Sequence, residues 1–194
     1  MRLKLNRTLA TTMLAGLAAA CTSFPAAPPE GTAYDILCPV TGKVSFSNDW
    51  QAPRSAGTFH EGNDIFAPMW TPSVAVVAGK ITWTYGEKSG YAIWLNGKDG
   101  NKYFYAHFQG WVHSDAAVGG KRDVAAGEII AWVGGTGNAN GVSHLHFEIH
   151  PDGGEPVNPY PSLVAECTDR TGTTAAHDQG GADVSSSVDD GLEG

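Results

Sequence analysis

Along most of the middle of the chain, apolar and polar residues alternate with the period of two that an extended strand imposes. "HLHFEIH", residues 144–150, is the clearest case. Leu145, Phe147 and Ile149 share one face, which reads as core. His144, His146, Glu148 and His150 share the other, which reads as a polar wall. "SVAVVAGKITWTYG" (73–86) is rich in β-branched and aromatic residues and reads as strand. "YAIWLNGKDGNKYFYAHF" (91–108) reads as a hairpin with its turn at Lys98-Asp99-Gly100-Asn101. "GEIIAWVG" (127–134) is a further strand, and "GGTGNANG" (134–141) is a loop, because Gly and Asn tolerate positive φ. No segment carries a sustained helical period. The pattern predicts a single all-β domain of antiparallel sheets, with short strands and Gly-rich loops.

Both ends depart from this alternation. "MRLKLNR" places Arg2, Lys4 and Arg7 ahead of the apolar "TLATTMLAGLAAA", the arrangement of a signal peptide over residues 1–20. That apolar stretch is too short to span a membrane. Ala18, Ala19 and Ala20 before Cys21 resemble a bacterial lipobox, although Leu is more usual at position 18. The reading is a lipid on Cys21, and simple cleavage near Ala20 is the alternative. Residues 21–37 are Pro/Ala-rich and read as a flexible tether. Residues 168–194 are dominated by Gly, Ser, Thr and Asp and read as a disordered acidic tail. His177 lies there and is given no role.

Charge and cysteine content sharpen this picture. Of the net charge of −8, −6 falls on residues 166–194, and the balance excludes a general nucleic-acid binder. With Cys21 lipidated, Cys38 and Cys167 remain. Export to an oxidising compartment predicts a disulfide between them, two buried free thiols being the alternative. The ordered domain is therefore expected over 38–167. The protein is expected in the cell envelope, touching the membrane only through Cys21 or else secreted.

Candidate chemistry comes from the histidines. Three of the seven fall within residues 144–150. On one strand face, His144 and His146 have Cα atoms roughly 6–7 Å apart, so both can reach one centre. Zinc accepts imidazole readily. Upstream, "HEGND" holds His60 and Asp64, which a regular strand would separate by roughly 13 Å. Gly62 between them permits a bend that brings them together. "YAH" ends at His107 on the second strand of the hairpin. Each cue alone also reads as a solvated strand face or an ordinary loop. In one exported β domain, together, they point to a metal centre.

These motifs carry a resemblance. "HEGNDIFAP", "YFYAHF", "VAAGEIIAWVGGTGN", "HLHFEIH" and "VNPYP" are similar to those of the M23 zinc metallopeptidases, the lysostaphin- and LytM-like endopeptidases of bacterial cell walls. The likeness runs from about Val40 to Leu163, and Cys38 and Cys167 flank it much as in exported actinobacterial forms. It implies one zinc ion per chain held by His60, Asp64 and His146. It implies His144 at the position of the catalytic base and His107 at that of the histidine assisting the transition state, although which of the two accepts the proton stays open. Three protein ligands would leave a fourth position for water, the mark of a catalytic site. Val142-Ser143 and Trp70 are less usual for the family. His150 and His113 have no motif support and are assigned to the surface. Glu61 is discounted as a base, and the six Trp are read mostly as core and rim packing rather than groove lining. The implied substrate is a peptide of peptidoglycan, either a stem peptide or a cross-bridge. Two other classes compete: a catalytically silent M23-like protein that recruits or activates wall hydrolases, and a β-rich sugar-phosphotransferase carrier with paired histidines. The export signal and the expected disulfide oppose the carrier.

Overall fold

The structure, a computed structural model, describes residues 31–54 and 57–167. The signal segment, Cys21 and the acidic tail lie outside the described residues. Among the described residues, nine strands form two antiparallel sheets. They are β1 Asn63–Phe66, β2 Pro72–Val74, β3 Gly79–Gly86, β4 Gly90–Gly97, β5 Lys102–Phe108, β6 Gly110–Trp111, β7 Lys121–Val124, β8 Ile129–Trp132 and β9 His144–His150. The larger sheet has the order β1-β9-β5-β4-β3-β7, and the smaller has the order β2-β8-β6. The expected antiparallel β architecture is what is seen. The β4–β5 hairpin turns at residues 98–101, as the Asp-Gly-Asn sequence requires.

Alternation decides which side of each strand is buried. Leu145, Phe147 and Ile149 of β9 are fully buried, as are Tyr103 and Tyr105 of β5, Ile93 and Leu95 of β4, and Ile81 of β3. Ile130, Ala131 and Val133 from the region of the small sheet join them in one continuous apolar core. The polar wall of β9 is left for the opposite face of the large sheet.

Three features depart from the sequence expectation. The apolar run 73–86 is two strands in different sheets, β2 and β3. The connecting Ala75 and Val76 are fully buried, so the run looks continuous in sequence. The Val76 N–H donates to the Tyr105 hydroxyl at 3.0 Å instead of to a ladder partner. Secondly, residues 160–167 form a helix, α1, of eight residues. Two turns that bury only Ser162, Leu163 and Cys167 are too short to display a period. Thirdly, the packed domain starts before Cys38. Ile36 is buried, the Leu37 N–H donates to the Val76 carbonyl, and the Tyr34 N–H donates to Ser162 Oγ. Cys38 and Cys167 are joined by a disulfide with Cα atoms 5.2 Å apart. It fastens the end of α1 to the entry segment.

Candidate active site

Strand β9 lies between β1 and β5, and its polar wall becomes the floor of the site. The register places Asp64 of β1 opposite His146 and Phe66 opposite His144. On the other side, Ala106 of β5 faces His146. Antiparallel pairing thus supplies a carboxylate within reach of the strand's second histidine.

His60 precedes β1. It is placed by a short pairing of residues 51–53 with 59–60: the His60 N–H donates to the Ala52 carbonyl, and the Gln51 N–H to the His60 carbonyl. The same turn sets Asp49 behind the His60 ring. Asn63 Nδ2 donates to Asp49 Oδ1 at 2.6 Å and to the Ser47 carbonyl, which holds that carboxylate still. Gly62 is required, though not for a positive φ. A Cβ there would lie 2.4 Å from the Phe147 carbonyl oxygen and 2.8 Å from His146 Cε1. The absent side chain lets β1 close on β9.

These elements converge on three atoms. His60 Nε2 and His146 Nδ1 are 2.8 Å apart, and each is 3.1 Å from Asp64 Oδ1. Among the described residues this trio is the one His/Cys/Asp/Glu group compact enough for a metal ion. A tetrahedral ion with bonds of about 2.0–2.1 Å separates its ligand atoms by roughly 3.3 Å, close to these distances. The outer nitrogens are already committed. His60 Nδ1–H donates to the Asp49 carbonyl at 3.0 Å, and His146 Nε2–H donates to Glu148 Oε1 at 2.8 Å. Two imidazole lone pairs and a carboxylate oxygen therefore face one point, a donor set that fits zinc.

The electrostatics agree that the point attracts cations. Burial alone would lower the His60 pKa. Hydrogen bonds to Asp49 and Asp64, and their charges, outweigh it and raise the value to about 9. His146 is raised in the same way, against its burial, by Asp64 and Glu148. Burial would raise the Asp64 carboxyl, yet its bonds to His146 and His60 hold it far below the usual carboxylate range. Arg54 Nη2 takes the other oxygen, Asp64 Oδ2, at 2.9 Å.

His107 reaches the site through an irregularity. In the β4–β5 ladder Ile93 pairs with Tyr105, but Tyr91 pairs with Phe108, so Ala106 and His107 together oppose one residue. His107 sits in the bulge with φ 68°. Strict alternation after Tyr103 and Tyr105 would turn residue 107 into the core. The bulge gives that place to Phe108 and re-aims His107. Its ring then lies 4.8 Å from that of His144, centroid to centroid. His107 Nδ1–H donates to the Thr136 carbonyl, and His144 Nδ1–H donates to the Val142 carbonyl. Both imidazoles keep Nε2 unsubstituted, and that of His144 is 3.8 Å from Asp64 Oδ1. Burial, and then the neighbouring His144, lower the His107 pKa to about 4, so it is neutral at neutral pH.

All five expected site residues therefore meet in one cluster. Two other assignments change. His150 is no solvated surface group: its Nε2 is 2.6 Å from Glu148 Oε2, and its Nδ1–H donates to the Gly154 carbonyl. His113 is packed edge-on to the Trp83 ring at 5.9 Å. Glu61 is exposed, as is Trp70, while Trp83 is core. Asp49, Arg54, Thr136 and Glu148 were not singled out from the sequence. For Glu148 a signal existed, its place on the same strand face as His146. Beside His144, with the Phe66 ring 5.7 Å away, a groove of about 310 Å³ runs between residues 43–45, 66–68 and Ser143.

The chain is similar to known proteins in sequence and in fold. Over 102 residues the chain is 38% identical to the DD-carboxypeptidase/endopeptidase Mpg of Neisseria meningitidis, a stretch that is 52% of this chain and 22% of that protein. Over 123 residues it is 33% identical to the uncharacterised lipoprotein YgeR of Escherichia coli, covering 63% of this chain and 44% of the other. The chain thus spans less than half the length of these curated relatives. Among solved structures, the catalytic domain of lysostaphin from Staphylococcus simulans superposes with a TM-score of 0.51 at 29% identity, covering 63% of this chain and 92% of that domain. A protein from Ruminococcus gnavus named for LytM superposes with a TM-score of 0.58 at 27% identity, covering 70% and 62%. The family description "Peptidase family M23" matches residues 58–159, from just before His60 to the end of "VNP", and the chain belongs to that family.

Proposed function

We propose that this chain is a zinc-dependent endopeptidase that hydrolyses peptide bonds in the stem peptides or cross-bridges of peptidoglycan. The observation that carries the reading is the convergence of the His60, Asp64 and His146 donor atoms beside two imidazoles with free Nε2 atoms. Zinc held by the three donors would supply a Lewis acid that activates a water and polarises the scissile carbonyl. The rest falls to the chain's own groups. His144 and His107 can each accept a proton at Nε2, because each has its Nδ1–H anchored on a backbone carbonyl. Once protonated, the same Nε2–H can donate to an oxyanion or a leaving amine. The groove beside His144 can seat substrate residues flanking the bond.

The relatives support the proposed substrate class, one being named a DD-carboxypeptidase/endopeptidase and another lysostaphin. A lipoprotein among the relatives supports a location in the cell envelope, and the residue proposed to bear the lipid is Cys21, on its sequence context alone. No helix among the described residues is long and apolar enough to cross a membrane. The test is mass spectrometry of fragments released from defined peptidoglycans, with and without a chelator. Chelator-sensitive release of peptide fragments is expected. Zinc-loaded, folded protein that releases nothing from any of them would refute the reading.

A further inference from the structure

Strand β9 carries three histidines, and the proposed metal and proton-transfer roles use only His144 and His146 of them. His150 is explained by what lies between. Positions 146, 148 and 150 share one face of β9. Glu148 is buried there, and its two oxygens are divided: Oε1 accepts from His146 Nε2 at 2.8 Å, and Oε2 meets His150 Nε2 at 2.6 Å. His150 is itself anchored, its Nδ1–H donating to the Gly154 carbonyl at 2.8 Å. The surroundings keep this row in place. The Trp94 ring packs on His150 and on Phe104, and Phe104 faces Glu148 across the β5–β9 ladder. On the β1 side, a Cβ on Gly62 would come within 3.0 Å of Glu148 Cγ, so the glycine leaves room for the carboxylate.

We propose that Glu148 is a positioning residue for the metal, with His150 as its anchor: the carboxylate holds His146 in the tautomer with hydrogen on Nε2, leaving Nδ1 bare toward His60 and Asp64. The inference rests on the zinc reading above and adds a role that the three ligands do not contain. Imidazole has one lone pair to give. Without an acceptor at Nε2 the ring is free to place its hydrogen on Nδ1 or to rotate, and either change removes a ligand.

The measurement is zinc affinity by chelator competition on the folded, disulfide-intact protein, which needs no turnover. Glu148→Leu fills the space but accepts nothing, and its affinity should fall about 10–100-fold. Glu148→Gln can still accept from His146 Nε2–H through its amide oxygen while its amide donates to His150. It should recover most of that loss. Zinc-loaded wild type and Glu148→Gln should both show a slowly exchanging His146 Nε2–H proton by NMR. Wild-type affinity in Glu148→Leu would overturn the proposal. So would a Glu148→Gln as weak as Glu148→Leu, since the carboxylate would then act by charge alone. If Glu148→Leu does not fold, His150→Leu decides: it frees one carboxylate oxygen and should weaken zinc measurably, and unchanged affinity would overturn the anchoring role. A wild type that binds no zinc would instead sink the zinc reading itself.

Discussion

Asp64 and His146 stand directly opposite one another on β1 and β9, and Asp64 Oδ1 lies 3.1 Å from His146 Nδ1. Eighty-two residues separate them in the chain. Replacing Asp64 by Ala removes the carboxylate that also binds His60 Nε2. Zinc affinity should drop by more than the roughly 10–100-fold typical of outer-shell changes, and hydrolysis should go with it. Elemental analysis after dialysis at low free metal checks this. Stoichiometric zinc in Asp64→Ala would show that the ligand set is wrong.

His144 and His146 should separate metal binding from chemistry. His144→Ala leaves the three donor atoms in place and should keep zinc while losing about 10²–10⁴-fold in rate, the usual worth of a general acid–base group. His146→Ala should lose the metal. Zinc content and peptidoglycan hydrolysis are measured side by side. Zinc loss in His144→Ala with retention in His146→Ala would exchange the two roles.

Metal-free protein should respond to pH in a defined direction. The His60 pKa is raised to about 9 by Asp49 and Asp64, against its burial, from an unfolded value of about 6.5. Its contribution is therefore complete below about pH 6.5 and is lost as pH rises through about 9. The Asp64 carboxyl is depressed, so its contribution is present above its unfolded value of about 3.9 and is lost as pH falls further into acid. Chelator-treated protein should melt at a lower temperature at pH 10 than at pH 6.5. Zinc must displace the His60 proton, so apparent zinc affinity should rise from pH 6 to pH 9. A flat affinity over that range would contradict the assignment.

Gly62→Ala should damage the site without touching a donor atom. The added methyl would meet the Phe147 carbonyl oxygen and the His146 ring. Pushing β1 off β9 should cost about 1–3 kcal/mol and weaken zinc binding. Thermal melting and chelator competition read the two effects. A variant with wild-type values for both would mean that the strands can move apart at no cost.

The Cys38–Cys167 bond closes a loop with a sequence separation of 129 and ties down α1. Replacing both residues by Ser should destabilise the domain by about 2–5 kcal/mol. Denaturant unfolding, with zinc content checked separately, tests this. His60, Asp64 and His146 lie elsewhere in the fold, so the folded variant should still bind zinc.

Local pattern was enough for the β character, the hairpin at residues 98–101 and the two faces of β9, because side-chain alternation and turn chemistry act between near neighbours. The five residues that the fold brings together, His60, Asp64, His107, His144 and His146, were also legible as candidates, in short motifs whose residue types suit a zinc centre. What only the tertiary structure decided is how distant strands pair. The β1–β9 register set Asp64 beside His146, and the pairing of residues 51–53 with 59–60 put Asp49 behind His60. The run at 73–86 splits between two sheets, its buried middle bonding to residues distant in sequence: Ala75 to Gly127 and Glu128, and Val76 to Leu37 and the Tyr105 hydroxyl. His107 is the sharpest case. Period-two alternation sends it inward, and the bulge against β4, a property of two strands together, turns it back to His144. His150 likewise looks solvated on its own strand, and becomes a partner of Glu148 under the Trp94 ring of β4, two strands away in the sheet.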